Sequence, residues 1–221
     1  MPLYANPPKD SGDFVRILAP PGLQAAICVD VVDQGEKEQE WQGVVKLVPK
    51  VSLHFLLAKA IPAKWTHPHT GDVVDVHTDL VGKPFGASRW FTNSFSEKAN
   101  LRQFLVAWRG RDFTPAELRQ FDLETLIGVA TGLNIIHRQS ADGTKWYSNI
   151  HSALLLPEGF VAPAIPTDYV RIKDRPPRDG EVRTPAKTVE PPVTENGYGP
   201  DHDFSGEPVP SGEYDDNDLP F

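Results

Sequence analysis

Three strand-like segments, one strongly amphipathic helix and a closing two-strand hairpin, in that order, predict a mainly β domain. A proline-rich, acidic end predicts a disordered tail behind it. The chain has 221 residues, 39% of them hydrophobic and 10% aromatic, which suffices for a core.

Gly22–Asp33 reads as the first strand, with Ile27, Val29 and Val31 alternating against Cys28, Asp30 and Val32. A polar, acidic connection through Glu40 is expected to follow as a loop. Val44–Val48 and Lys50–Leu57 read as a second strand interrupted by Pro49, with Val51, Leu53, Phe55 and Leu57 on its apolar side. An irregular stretch runs from Ala58 through the His-rich 66–77 region, with Val73–Val76 extended. Phe85–Phe95 is a third strand of aromatic and hydroxyl residues.

Leu101, Phe104, Leu105 and Trp108 fall at i, i+3, i+4 and i+7 and predict a helix, with Ser96 as cap and Gly110 as its end. Thr114-Pro115-Ala116-Glu117 opens a second, shorter helix, and Leu123–Ile127 forms a third turn. Gly132–Arg138 is the fourth strand, Ala141-Asp142-Gly143 a hairpin turn, and Lys145–Leu156 the fifth strand. Three strands, a helical insertion and two more strands are the order of an OB-fold, a five-stranded Greek-key barrel with its helix between strands 3 and 4. A doubly wound sheet would need helices in most connections.

Eleven of the 22 prolines fall in residues 161–221, which lack apolar periodicity. Such a segment buries too little apolar surface to offset its ordering entropy. The expected division is therefore a folded domain over 1–160 and a disordered linker and tail over 161–221. Charge divides the same way. Residues 1–160 hold 16 Lys and Arg against 17 Asp and Glu, whereas residues 161–221 hold 6 against 13 and carry most of the net −8.

The last seven residues, Asp215-Asp216-Asn217-Asp218-Leu219-Pro220-Phe221, join clustered carboxylates to a stiff turn and a terminal ring. This ending resembles the acidic C-terminal tip of bacterial and bacteriophage single-stranded DNA-binding proteins. The resemblance implies a docking tip for replication, recombination or repair enzymes, built on Asp215, Asp216, Asp218, Leu219, Pro220 and Phe221. A second resemblance lies in the body. The runs Phe95-Ser96-Glu97-Lys98-Ala99-Asn100-Leu101-Arg102, Trp108-Arg109-Gly110-Arg111-Asp112-Phe113-Thr114, Phe121-Asp122-Leu123-Glu124 and Leu133-Asn134-Ile135-Ile136-His137 resemble a family of small bacteriophage replication-associated proteins. It implies an OB-fold that binds single-stranded DNA.

Single strands are held by aromatic platforms and by cations along the phosphates. If Phe91 and Phe95 point inward, strand parity turns Trp90 outward between Ser88 and Thr92, with Arg89 beside it. The same argument exposes Lys50, Ser52 and His54 on strand two, and Lys145, Tyr147, Asn149 and His151 on strand five. Arg138 stands across the hairpin turn, while Trp41 and Trp65 lie in loops as clamps or end caps. Arg109-Gly110-Arg111 offers phosphate contacts, and Phe104 and Trp108 belong to the core. The acids Asp30, Asp33, Glu36, Glu38 and Glu40 count against DNA crossing the first connection.

Other chemistries find less support. His67, His69 and His77 with Asp72 and Asp75 match no zinc spacing, and no Gly-rich phosphate loop, nucleophile elbow or paired-carboxylate motif occurs. The expectation is a non-enzymatic protein without cofactor or metal. One cysteine, Cys28, excludes an internal disulfide, and no apolar run spans a bilayer. With no secretory signal apparent, the bacterial host cytoplasm is the expected compartment. A protein-interaction adaptor without a DNA role is the alternative. The acidic tail is also expected to compete with DNA for any basic groove.

Overall fold

The computed structural model describes residues 16–176. Strand β1 (Gly22–Trp41) returns antiparallel as β2 (Val44–Ala60) through Gln42 and Gly43, whose φ values of 49° and 76° suit the tight turn favoured by twisted hairpins. The short β3 (Lys64–Thr66) and β4 (Val73–Asp75) form a separate two-stranded ribbon. Strands β5 (Pro84–Thr92), β6 (Ala130–Gln139) and β7 (Trp146–Leu154) join the first two in one antiparallel sheet of order β5-β2-β1-β6-β7.

Alternation sets the inner face. Val51, Leu53, Phe55 and Leu57 are all at most 2% exposed, and Phe91, Leu133, Ile135 and Ile150 bury beside them. The helix α1 (Asn100–Arg109) lays Leu101, Phe104, Leu105 and Trp108 against this face. Phe104 meets Phe91 with ring centroids 4.9 Å apart, and Trp108 meets Phe55 at 5.5 Å while donating from Nε1 to the Ala130 carbonyl. Each such burial stabilises by about 1.5–3 kcal/mol. A helix of this length would be marginal alone, so tertiary packing holds it. Its cap is Ala99, without a side-chain bond, so Ser96 does not cap it; the Ser96 carbonyl instead accepts from the Ala99 amide in the preceding turn. Gly110, at φ 69°, ends it. The second helix α2 (Pro115–Gln120) starts where its sequence predicts, and the structure adds a complete Thr114–Glu117 capping box.

The acidic connection is not a loop. Residues Gly35–Trp41 continue β1 and pair residue by residue with Val44–Lys50. The polar run lacks a buried face, so no apolar alternation marked it as strand; the ladder forms because the tight turn sets its register. Two bulges interrupt β1 before this arm, between Cys28 and Asp30 and between Asp33 and Gly35. Each inserts a residue and re-aims the strand beyond it. The first leaves Cys28 opposite buried Phe55 but sets Asp30 opposite His54, on the outer face.

Strands β5 and β7 form the two edges of the sheet and approach each other. The Arg89 guanidinium bridges them, donating to the Ile150 carbonyl at 3.1 Å and the His151 carbonyl at 2.6 Å. It also lies over the rings of Phe91 and Phe104.

The compact unit extends to Arg175, beyond the boundary near residue 160 that composition suggested. Arg171 donates from Nε to the fully buried Asp30 carboxylate at 3.0 Å and clasps Glu124 with two further bonds. The Ile172 amide also donates to Asp30. This strap, Tyr169–Arg175, lies across the outer face of β1 and β2. Proline content says nothing about so distant an ion pair. Among the described residues no helix is long and apolar enough to cross a membrane.

Candidate nucleic-acid interface

Register builds the outer face row by row. Across β1, β2 and β5 it aligns Asp30, His54 and Ser88, then Val32, Ser52 and Trp90, then Gly35, Lys50 and Thr92. Successive rows lie about 6.5–7 Å apart along the strands. Trp90 is half-buried on this face, as parity predicted. Ser52 departs from expectation: it is fully buried, accepting from Gln34 Nε2 at 2.8 Å and lying 2.9 Å from His54 Nε2. Burial holds the His54 imidazole below its ordinary value, so the ring is neutral near pH 7. The Lys50 ammonium donates to Gln39 at 3.1 Å and to Thr92 at 3.0 Å.

The bond from Lys50 to Gln39 carries this face onto the arm. Gln39 pairs with Lys46, and Lys37 with Val48, so these four residues share the side of Lys50. Glu36, Glu38 and Glu40 pair with Pro49, Leu47 and Val45 on the opposite side. The arm thus separates its charges, with lysines on the side continuous with Trp90 and glutamates on the other. The glutamates therefore point away from the lysine side. Asp30, another of the acids weighed against DNA, is enclosed by the strap. Trp41 pairs with Val44 at the arm's tip rather than lying in a loop, and its side chain is outside those described.

Several expected contacts have structural duties instead. Arg89, expected beside Trp90, alternates with it, so its side chain faces inward to the seam. Trp65 is buried at 7% exposure with Leu18 and Val76, which makes it an end cap rather than a mobile clamp. Arg109 and Arg111 both pair with Glu117, and Arg109 stacks at 4.1 Å over Phe113. Those bonds hold the Glu117 carboxyl well below its usual range.

A second group sits at the β6–β7 hairpin. Tyr147 pairs in register with exposed Arg138, and the Arg16 guanidinium lies 4.7 Å above the tyrosine ring. Lys145 is exposed beside the turn, where Asp142 accepts from Ser140 and Thr144, bonds that hold its carboxyl down at about 2.

The histidine loop has its own arrangement. His69 stacks on Trp146 at 3.6 Å and lies 2.9 Å from His137 Nδ1, while His137 Nε2 reaches the Ala19 carbonyl. Among the described residues no group of three or more His, Cys, Asp or Glu is placed to hold a metal. Cys28 is buried, and burial pushes its thiol up to about 12, far from a reactive thiolate.

Sequence reasoning missed Lys37 and Gln39, because they were assigned to a connection without parity, and Lys46, which lay in a segment read as strand but was given no face. It also missed Tyr169 and Arg175, whose place on the outer face depends on the strap. The docking tip, Asp215, Asp216, Asp218, Leu219, Pro220 and Phe221, lies outside the described residues. Compared with known proteins, the chain matches no family model and no curated protein.

Proposed function

We propose that this protein coats single-stranded DNA without sequence preference during phage replication or recombination, acts without catalysis, and recruits partners through its C-terminal tip. The observation that carries the DNA reading is the continuous outer face running from Trp90 past Lys50 to Lys46 and Lys37. It offers a ring for stacking and cations in line for phosphates, the two elements a single strand needs.

The sheet order supports an OB-fold reading. An OB barrel joins its first strand to the second and fourth and sets the third beside the fifth. Taking β1, β2, β5, β6 and β7 as those five strands gives the order of such a barrel, parted along one seam. Oligonucleotides lie across the second and third strands of this fold and against the loops joining strands one to two and four to five. Trp90, the arm and Lys145 occupy corresponding places.

The test is a salt series of binding to labelled oligothymidine and to duplex of equal length, by the full chain and by residues 1–176. Tighter binding to the single strand, with quenched tryptophan fluorescence and weakening with salt, is expected. Trp90→Ala should weaken it by about 1–3 kcal/mol. Equal binding to both forms, or none at low salt, would overturn the reading. One observation favours a protein-interaction adaptor as the second reading. The glutamate side of the arm also exposes Val45 and Leu47, at 56% and 60%.

A further inference from the structure

The strap forms one wall of a groove on the outer face. Its floor is Leu56 of β2 with Gly86 and Ala87 of β5, its polar edge is His54 and Ser88, and Tyr169 with Arg175 closes the far side. At about 230 Å³ it is smaller than the roughly 300 Å³ at which pockets for drug-sized ligands begin. It has room for one flat ring. Gly86 contributes no side chain, and a Cβ added there would meet nothing within 4 Å, so the floor is open to a planar group.

The chemistry narrows the ligand. Tyr169 offers an aromatic wall, and the Arg175 guanidinium lies over one face of that ring, 5.5 Å from its centre, leaving the opposite face for a stacked ring. Arg175 donates from Nε to the Val170 carbonyl, which fixes the direction of its side chain. The one carboxylate beneath the strap, Asp30, is enclosed by Arg171 and the Ile172 amide. What remains at the groove is an aromatic face, two uncharged polar side chains and a cation. That set suits a neutral planar ring attached to a phosphate.

Position narrows it further. Ser88 and His54 share the register row next to the row of Trp90 and Ser52. A strand stacked on Trp90 therefore brings its neighbouring nucleotide to the groove.

We propose that this groove is a nucleobase subsite, in which one base of a single strand stacks on Tyr169 and its phosphate meets Arg175. The proposal rests on the single-stranded DNA reading above. It makes the strap a part of the binding surface rather than a cover over it.

The experiment uses the full chain and oligothymidine carrying one 4-thiothymidine. Photocrosslinking of the unsubstituted protein, mapped by mass spectrometry, should label Tyr169. Tyr169→Leu should weaken binding about tenfold while Tyr169→Phe leaves it nearly unchanged, as stacking requires. Arg175→Gln should reduce the slope of log affinity against log salt by about 0.7, the share of one phosphate on a single strand. Absence of the Tyr169 crosslink, or Tyr169→Leu binding as well as or better than the original, would overturn the subsite. If those results came while Trp90→Ala still weakened binding, the DNA reading would stand and the groove alone would fall. No binding by the unsubstituted chain would overturn both.

Discussion

The two-sided arm makes a prediction that net charge cannot mimic. Lys37 and Lys46 lie on the side continuous with Lys50 and Trp90, and Glu36, Glu38 and Glu40 lie on the other. Three lysines meeting phosphates should contribute about −2 to the slope of log affinity against log salt, because each single-strand phosphate contact contributes about 0.7. The double change Lys37→Gln with Lys46→Gln should remove about 1.4 of that slope. At 0.1 M salt the same two contacts correspond to roughly a 25-fold loss of affinity. Neutralising Glu36, Glu38 and Glu40 to Gln changes the total charge by more, yet should alter affinity by less than about threefold. Those carboxylates sit on the side of the ribbon away from the lysines, and at that salt charges are screened beyond a Debye length of ~10 Å. Fluorescence anisotropy of a labelled oligothymidine over a salt series measures both. If the glutamate changes raise affinity as much as the lysine changes lower it, the protein is responding to total charge, and the sided reading of the arm is wrong. Both sets are surface substitutions, so urea midpoints should stay nearly constant.

Arg171→Ala should cost about 3–5 kcal/mol in urea unfolding, since it leaves the Asp30 carboxylate buried without its cation. Asp30→Ala should cost less, because Arg171 keeps Glu124, and a double-mutant cycle would measure the coupling. The strap should also loosen in acid. Bonds from Arg171 hold the Glu124 carboxyl below its ordinary 4.5, so this contribution is complete above 4.5 and is lost as pH falls through the lower folded value. His54, depressed by burial from 6.5, adds to the trend, since its stabilisation is full above 6.5 and diminishes as pH falls below it. Hydrogen exchange at Ile172 across this range would follow the release. Arg89→Met should destabilise by about 1.5–3 kcal/mol through loss of charged bonds to two carbonyls. Phe221→Ala should abolish pull-down of a replication partner while leaving oligothymidine affinity intact, and deletion of residues 199–221 should raise that affinity at low salt if the acids compete for the face.

The elements legible in the sequence are those whose period reports a buried face. Val51, Leu53, Phe55 and Leu57 alternate because one side of β2 meets the core, and Leu101 to Trp108 recur at helical spacing for the same reason. The first half of the arm, Gly35–Trp41, left no such mark, as both its sides meet water. Outer-face parity worked at Trp90 because β5 runs without interruption from Gly86 to Thr92 against β2. It failed to separate Asp30 from Cys28, since the bulge between them changes which face each presents. The strap was invisible for a different reason. Arg171 and Asp30 are 141 positions apart, and a single ion pair over that distance has no periodic signature. His69 and Trp146 stack across a gap about half as long, which has no periodic signature either.

Arg89 has a consequence for assembly. With no strand ladder joining β5 to β7, the sheet ends in two neighbouring edges, and one guanidinium occupies two carbonyls of the second. An uncovered edge is a template for another chain's strand. Losing Arg89 would therefore do more than soften the fold: it would offer adjacent, complementary edges to other molecules, and at high concentration the protein would tend to exchange strands and grow into fibres. A single inward-facing arginine thus helps keep two neighbouring strand edges from pairing with another copy of the chain.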